Sequence, residues 1–191
     1  MIQRFAKPMV FILALLPCAW LFYRGWNDAL GANPAETLIR ATGDWSLRFL
    51  CIALAITPLR IVTHTPALAR FRRMMGLFVY FYVTLHLLCY SGFDQGFELT
   101  EIVHDTIKRP FIWMGMLAFG MLTLLAATSF QGAVRWLGGK RWQKLHRLVY
   151  AVAVLAVLHF FWMRAGKSDF AEVWWYGGIL SVLLGWRVVR R

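Results

Sequence analysis

Six apolar runs, joined by connections whose charge alternates without exception, constrain the fold of this chain more than any other feature. The runs are Pro8–Tyr23, Trp45–Val62, Met74–Phe93, Phe111–Phe130, Leu148–Met163 and Val173–Trp186. A helix that crosses a bilayer needs about 20 apolar residues, with a range of about 17–25. The third and fourth runs meet that length. The first, fifth and sixth are shorter, and flanking aromatics and snorkelling basic side chains extend them. One set of connections comprises the N-terminus (Arg4, Lys7), Arg60–Arg73, Arg135–Arg147 and the tail (Arg187, Arg190, Arg191). It carries 14 Lys and Arg and no acid. The other set, Arg24–Asp44, Asp94–Arg109 and Arg164–Glu172, carries six basic residues and all nine acids. The remaining base is Arg48. Cytoplasmic connections are the Lys- and Arg-rich ones. The pattern therefore predicts an all-α membrane protein: a six-transmembrane-helix bundle, one domain over residues 1–191, with both termini cytoplasmic. Trp26, Trp45, Trp162, Trp174 and Trp175 fall near the outer ends, where an interfacial aromatic belt belongs.

Composition agrees. Hydrophobic residues make up 60% of the chain, against about 45–50% in soluble domains. The formal charge of +12 would suit nucleic acid in a soluble protein. Here the bases lie between apolar runs, so membrane topology explains them and no nucleic-acid partner is expected. Cys18, Cys51 and Cys89 sit inside apolar runs without CxxC or Cys-His spacing, and read as small core residues. Arg4 and Lys7 before the first run give it the look of a signal peptide. No A-x-A-like cleavage site follows, so a retained helix is expected. No connection exceeds about 20 residues, which leaves no room for a soluble catalytic domain. Chemistry outside the membrane then belongs to a partner.

Two histidines carry the chemistry. His86 and His159 lie in separate apolar runs with no charged side chain near them. Ionisable rings in hydrocarbon are costly and rare unless they serve a function. Imidazole is a common metal ligand and an axial ligand of haem iron. Both runs point from inside to outside, and both rings fall in the outer half at similar depth. Two imidazoles facing each other across a bundle can ligate one haem iron from both sides, as helix bundles commonly hold cofactors. The alternative is a pair of separate, hydrogen-bonded structural histidines.

A third ring, His146, lies 13 residues before His159. On one continuous helix that spacing is about 20 Å of rise and roughly 140° of rotation. His146 thus suits a second cofactor at another depth, a haem, flavin or quinone, or a structural role at the interface. Aligning His86 with His159 sets Arg73 against His146. Arg72, Arg73, Arg141 and Arg147 are candidates to clamp haem propionates or a flavin phosphate; they also serve the positive-inside signal. His64 and His104 read as surface histidines. Asp94, Glu98, Glu101 and Asp105 offer an acidic face to a basic partner.

Four stretches together make a family pattern: Arg72-Arg73-Met74-Met75-Gly76-Leu77, Thr84-Leu85-His86-Leu87, Trp142 to Tyr150 (with Leu145-His146-Arg147) and Leu158-His159-Phe160. Leu30-Gly31-Ala32-Asn33-Pro34 and Ile56-Thr57-Pro58-Leu59 add to it. The chain resembles the haem-binding membrane subunits of protein-methionine-sulfoxide reductase systems, within the ferric-reductase-like transmembrane family. The resemblance implies a b-type cytochrome of the bacterial inner membrane, with haem b, a second haem or FMN as further cofactors. It implies electrons drawn from the quinone pool or a cytosolic flavin reductase. They would pass to a periplasmic, molybdopterin-containing methionine sulfoxide reductase subunit that repairs oxidised proteins. His86 and His159 would ligate haem iron, and His146 would be a ligand or lie beside a cofactor. Ferric reductases carry two histidines on each of two helices, whereas this chain has Arg73 at one such position. Two rival readings are a stand-alone ferric or quinone reductase, and a small transporter or scaffold whose histidines relay protons. Against the transporter, no acid lies within any run, and Pro58 and Pro110 fall at run ends.

Overall fold

The computed structural model describes residues 2–166 and 168–190, without the side chains of residues 2–4. Lys167, Arg191 and the side chain of Arg4, counted above in the charge pattern, lie outside the described residues. The long helices are α1 (Ile2–Trp26), α2 (Pro34–Val62), α3 (Arg72–Cys89), α5 (Pro110–Ala127), α8 (Leu148–Ala165) and α9 (Ala171–Val189). Between them lie α4 (Leu99–Lys108), α6 (Gln131–Leu137) and α7 (Gly139–His146). Among the described residues, five stretches are long and apolar enough to cross a membrane: Phe5–Trp26, Pro34–Val62, Pro66–Asp94, Pro110–Ala127 and Gly139–Ala165. They match the first five expected runs. The sixth run folds as α9, 19 residues long, which is outside that set. Trp174, Trp175, Tyr176, Gly177 and Gly178 lower its mean hydropathy.

The connections are more ordered than the sequence suggests. α2 starts 11 residues before the expected run, because Asn33-Pro34-Ala35-Glu36 is a helix start. Asn33 Oδ1 accepts from the Glu36 backbone N–H at 3.1 Å, Pro34 occupies the first turn where no donor is needed, and Glu36 lies at the positive end of the helix. The connection after α3 begins as a single π-helical turn, Tyr90–Asp94, and continues as α4. Asp105 of α4 is buried (8% exposed). It accepts from Tyr90 Oη (2.8 Å) and Gln95 (3.2 Å) and pairs with Arg109 (2.8 Å). This acid is therefore an anchor rather than part of an exposed docking face, while Asp94, Glu98 and Glu101 are exposed. Trp45 is half-buried, packs beside Phe49 and Tyr82, and carries the Arg48 guanidinium over its ring at 4.6 Å.

Two antiparallel hairpins, α2–α3 and α5–α8, form the body of the bundle. Tyr80 of α3 stacks on Phe119 of α5 (centroids 5.8 Å) and joins them. The other two helices are attached at broken backbone bonds. In α1, the fully buried Tyr82 hydroxyl donates to the Ala14 carbonyl (2.8 Å) and accepts from the Cys18 N–H (3.1 Å). It sits inside what would be one i→i−4 bond, next to Pro17. In α2, Pro58 has no N–H to give the Leu54 carbonyl. Arg187 of α9 supplies the donor instead, Nη2 to Leu54 O at 2.5 Å, and its guanidinium lies 5.4 Å from the Tyr150 ring centroid. Arg48 donates to Tyr176 of α9 at 3.0 Å. The earlier contact residue of α2, Arg48, meets the earlier one of α9, Tyr176, and the later, Leu54, meets Arg187, so the two helices run the same way.

Replacing Arg187 with Met should orphan the Leu54 carbonyl and loosen α9. A loss of about 1.5–3 kcal/mol is expected for a charged hydrogen bond, read as a lower thermal unfolding midpoint of the detergent-solubilised protein. Arg190→Met, one turn on and outside this contact, should leave it unchanged.

Candidate functional site

The late ends of α3 and α8 bring His86 and His159 together. Their ring centroids are 6.2 Å apart and their planes cross at 86°. Both rings line one cavity of about 470 Å³, within the roughly 300–1,000 Å³ typical of ligand sites. Its floor is apolar, with Leu50, Val79, Leu122 and Val152. Its charged lining is Arg40, Arg109 and the buried Arg164, together with Glu36, Asp44 and Asp94.

Each ring is held by the same device. His86 Nδ1 lies 2.8 Å from the Ile39 carbonyl, 47 residues earlier in the chain. His159 Nδ1 lies 2.7 Å from the Phe111 carbonyl, 48 residues earlier. A carbonyl only accepts, so each Nδ1 must carry the proton and each Nε2 keeps its lone pair. A glycine stands one turn beyond each carbonyl and lets the ring lie against the helix. A Cβ on Gly43 would meet His86 Nδ1 at 3.2 Å, and one on Gly115 would meet His159 Nδ1 and Cε1 at 3.0 Å. The α2–α3 hairpin and the α5–α8 hairpin are thus two versions of one unit: a carbonyl, a glycine four residues on, and a histidine on the returning helix.

This donor set fits haem. Imidazole–metal bonds are about 2.0–2.1 Å long, so two rings on opposite sides of one metal have centroids roughly 6 Å apart, as these do. Nδ1–H bound to a carbonyl, with Nε2 free, is the usual arrangement of metal-ligating histidines. Among the described residues no group of three or more His, Cys, Asp and Glu gathers to hold a metal. Two imidazoles alone suit an iron whose other positions a macrocycle fills, rather than a zinc that takes four protein ligands.

The other expected site residues lie elsewhere. His146 ends α7, and one turn residue with helical backbone angles, Arg147 (φ −70°, ψ −17°), joins it to α8, so Gly139–Ala165 runs on as one stretch. His146 Nε2 lies 3.1 Å from Thr128 Oγ1, and Trp142 stacks on the ring with centroids 3.9 Å apart. Trp142 Nε1 in turn donates to the Thr128 carbonyl at 2.8 Å. Arg72 and Arg73 open α3, and these two, Arg141 and Arg147 are exposed. None of them, nor His146, is among the residues lining the His86–His159 cavity. His64 and His104 are exposed. The sequence reading missed Gly43, Gly115, Arg40, Arg109 and Arg164. A signal was present: Ile39 and Gly43 recur as Phe111 and Gly115 at an offset of 72, and His86 recurs as His159 at 73.

An all-helical membrane bundle with two facing histidines defines a class, and the comparisons place this chain in it. Residues 42–157 match the family of the ferric reductase like transmembrane component. The chain is 65% identical over 183 residues to the protein-methionine-sulfoxide reductase heme-binding subunit MsrQ of Polaromonas naphthalenivorans, covering 96% of this chain and 84% of that one. It is 52% identical to the protein of that name from Bordetella pertussis, covering 95% and 88%, and 50% identical to that of Ralstonia nicotianae, covering 97% and 85%. The chain belongs to the MsrQ family of ferric-reductase-like membrane proteins.

Nitrogen NMR of cofactor-free protein with labelled histidine should find His86 and His159 as Nδ1–H tautomers. Gly115→Ala, where the approach is closest, should shift the His159 signals more than Gly43→Ala shifts those of His86. Gly120→Ala, on the same helix with open space around it, should shift neither.

Proposed function

We propose that this protein is a b-type cytochrome of the bacterial inner membrane. It passes electrons from the quinone pool, or from a cytosolic flavin reductase, to a periplasmic, molybdopterin-containing methionine sulfoxide reductase subunit. The observation that carries this is the His86–His159 pair, each ring held Nδ1-to-carbonyl with Nε2 free. The names of the relatives support both the haem and the partner.

Six spans cross the membrane as one domain, with both termini cytoplasmic. The alternation of basic and acidic connections supports this, and so does α9 running parallel to α2. The His86–His159 cavity then opens at the periplasmic side, among the acid-bearing connections, where a soluble acceptor can approach.

His86 and His159 hold haem b through Nε2. Haem supplies reversible one-electron chemistry when bound, and two histidine ligands favour electron transfer over oxygen chemistry. The Ile39 and Phe111 carbonyls fix the tautomer and orientation of the rings and raise their basicity. Gly43 and Gly115 keep the rings against their helices. The apolar floor excludes water. At the cytoplasmic end, His146 with Arg72, Arg73 and Arg147 forms the entry side and takes a second cofactor, haem or FMN. Arginine near an anionic group there is the chemistry expected of propionate or phosphate.

The purified protein should give a b-type reduced-minus-oxidised difference spectrum. His86→Ala and His159→Ala should each abolish that band for the periplasmic-side haem. An absent band in the native protein would remove the proposal. Co-expression with the periplasmic reductase should restore methionine sulfoxide reduction from membrane electrons, and His86→Ala should eliminate it.

A further inference from the structure

Arg164 stands on α8 five residues beyond His159, about 7.5 Å along the helix, and lines the same cavity. It is only 8% exposed. A charge so far from water is costly unless its donors find partners. Nη1 donates to Asp169 at 3.0 Å and Nη2 to Glu172. The guanidinium also lies 5.3 Å from the Phe160 ring centroid. Nε is buried and has no hydrogen-bond partner among the described residues.

The two paired carboxylates are 55% and 45% exposed. They are solvated, so they fix the terminal nitrogens of Arg164 at modest electrostatic cost to a further anion. They leave Nε unserved. Arg40 and Arg109 line the cavity too, Arg40 directly after Ile39 and Arg109 two residues before Phe111. Both are more exposed than Arg164, and each pairs with an acid four residues earlier, Glu36 and Asp105. Cations thus flank the residues that hold the histidine rings, beside the acids Glu36, Asp44 and Asp94 of the same lining, and the most buried of these cations, Arg164, has a donor to spare.

We propose that Arg164 donates its Nε–H to a carboxylate of the molecule that fills the cavity, and so orients that molecule between His86 and His159. This rests on the haem reading above. Haem carries two carboxylate arms, and guanidinium is the side chain that recognises carboxylates with directional hydrogen bonds. Arg164 is then a binding residue of the cofactor, acting at its polar edge, while the histidines act at its metal.

The test titrates cofactor-free full-length protein with haem and with haem dimethyl ester, following the Soret absorbance. The native protein should prefer haem by at least about tenfold, the range of a charge-assisted hydrogen bond. Arg164→Lys keeps a charge for Asp169 and Glu172 but has no Nε donor; its preference should fall towards unity while the bis-histidine spectrum persists. Equal binding of haem and ester by the native protein would overturn the proposal, whether or not the variant folds. So would an Arg164→Lys protein that keeps the full preference. Arg40→Gln with Arg109→Gln should retain most of the preference, and its loss there would move recognition to Arg40 and Arg109 and overturn the role given to Arg164. A native protein that binds neither form would instead refute the haem reading.

Discussion

The structure depends on two hydrogen bonds from imidazole to backbone carbonyl. Within apolar helices a neutral ring nitrogen has few partners, and an unpaired polar group there costs several kcal/mol. Ile39 and Phe111 supply the partners, and both requirements are met by one arrangement. The bond satisfies Nδ1, and it also leaves Nε2 as the free lone pair at a fixed place. Stability and chemistry therefore select the same geometry. The helix pairs α2–α3 and α5–α8 are set by it, because each ring reaches its carbonyl only where a glycine lets the two helices approach.

Backbone polarity governs the rest of the packing as well. The carbonyl left by Pro58 is taken by Arg187, and the bond interrupted in α1 is taken by Tyr82. In a medium without water such gaps need protein donors. They become polar attachment points for helices that also bury apolar side chains in the core, Ala14 of α1 and Val173 and Leu180 of α9. The polar contacts fix the first and last helices at defined depths, which apolar packing alone does less sharply.

Much of this was legible in the chain itself. Apolar runs and charge alternation give the helices, because hydrocarbon thickness and basic-residue asymmetry act on the sequence directly. His86 and His159 stand out because their burial is expensive. Asn33-Pro34-Ala35-Glu36 carried a readable helix start, yet the polar residues of that stretch give it the look of a loop. The buried state of Asp105 depends on a partner outside its own helix, Tyr90. Gly43 and Gly115 were hidden for another reason. The chain has 15 glycines, and what separates these two from Gly120 or Gly76 is a ring arriving from a helix more than 40 residues away.

The two-hairpin construction has a consequence for maturation. Each hairpin contributes one ring, so neither half alone can hold a ligand that needs both. Anything bound between His86 and His159 bridges the halves and stabilises only the docked state, by an amount that grows with its concentration relative to its dissociation constant. Filling the cavity is then a late event in assembly, coming after both hairpins have inserted. It marks a finished molecule. A chain left empty stays joined across that seam by contacts such as Tyr80–Phe119.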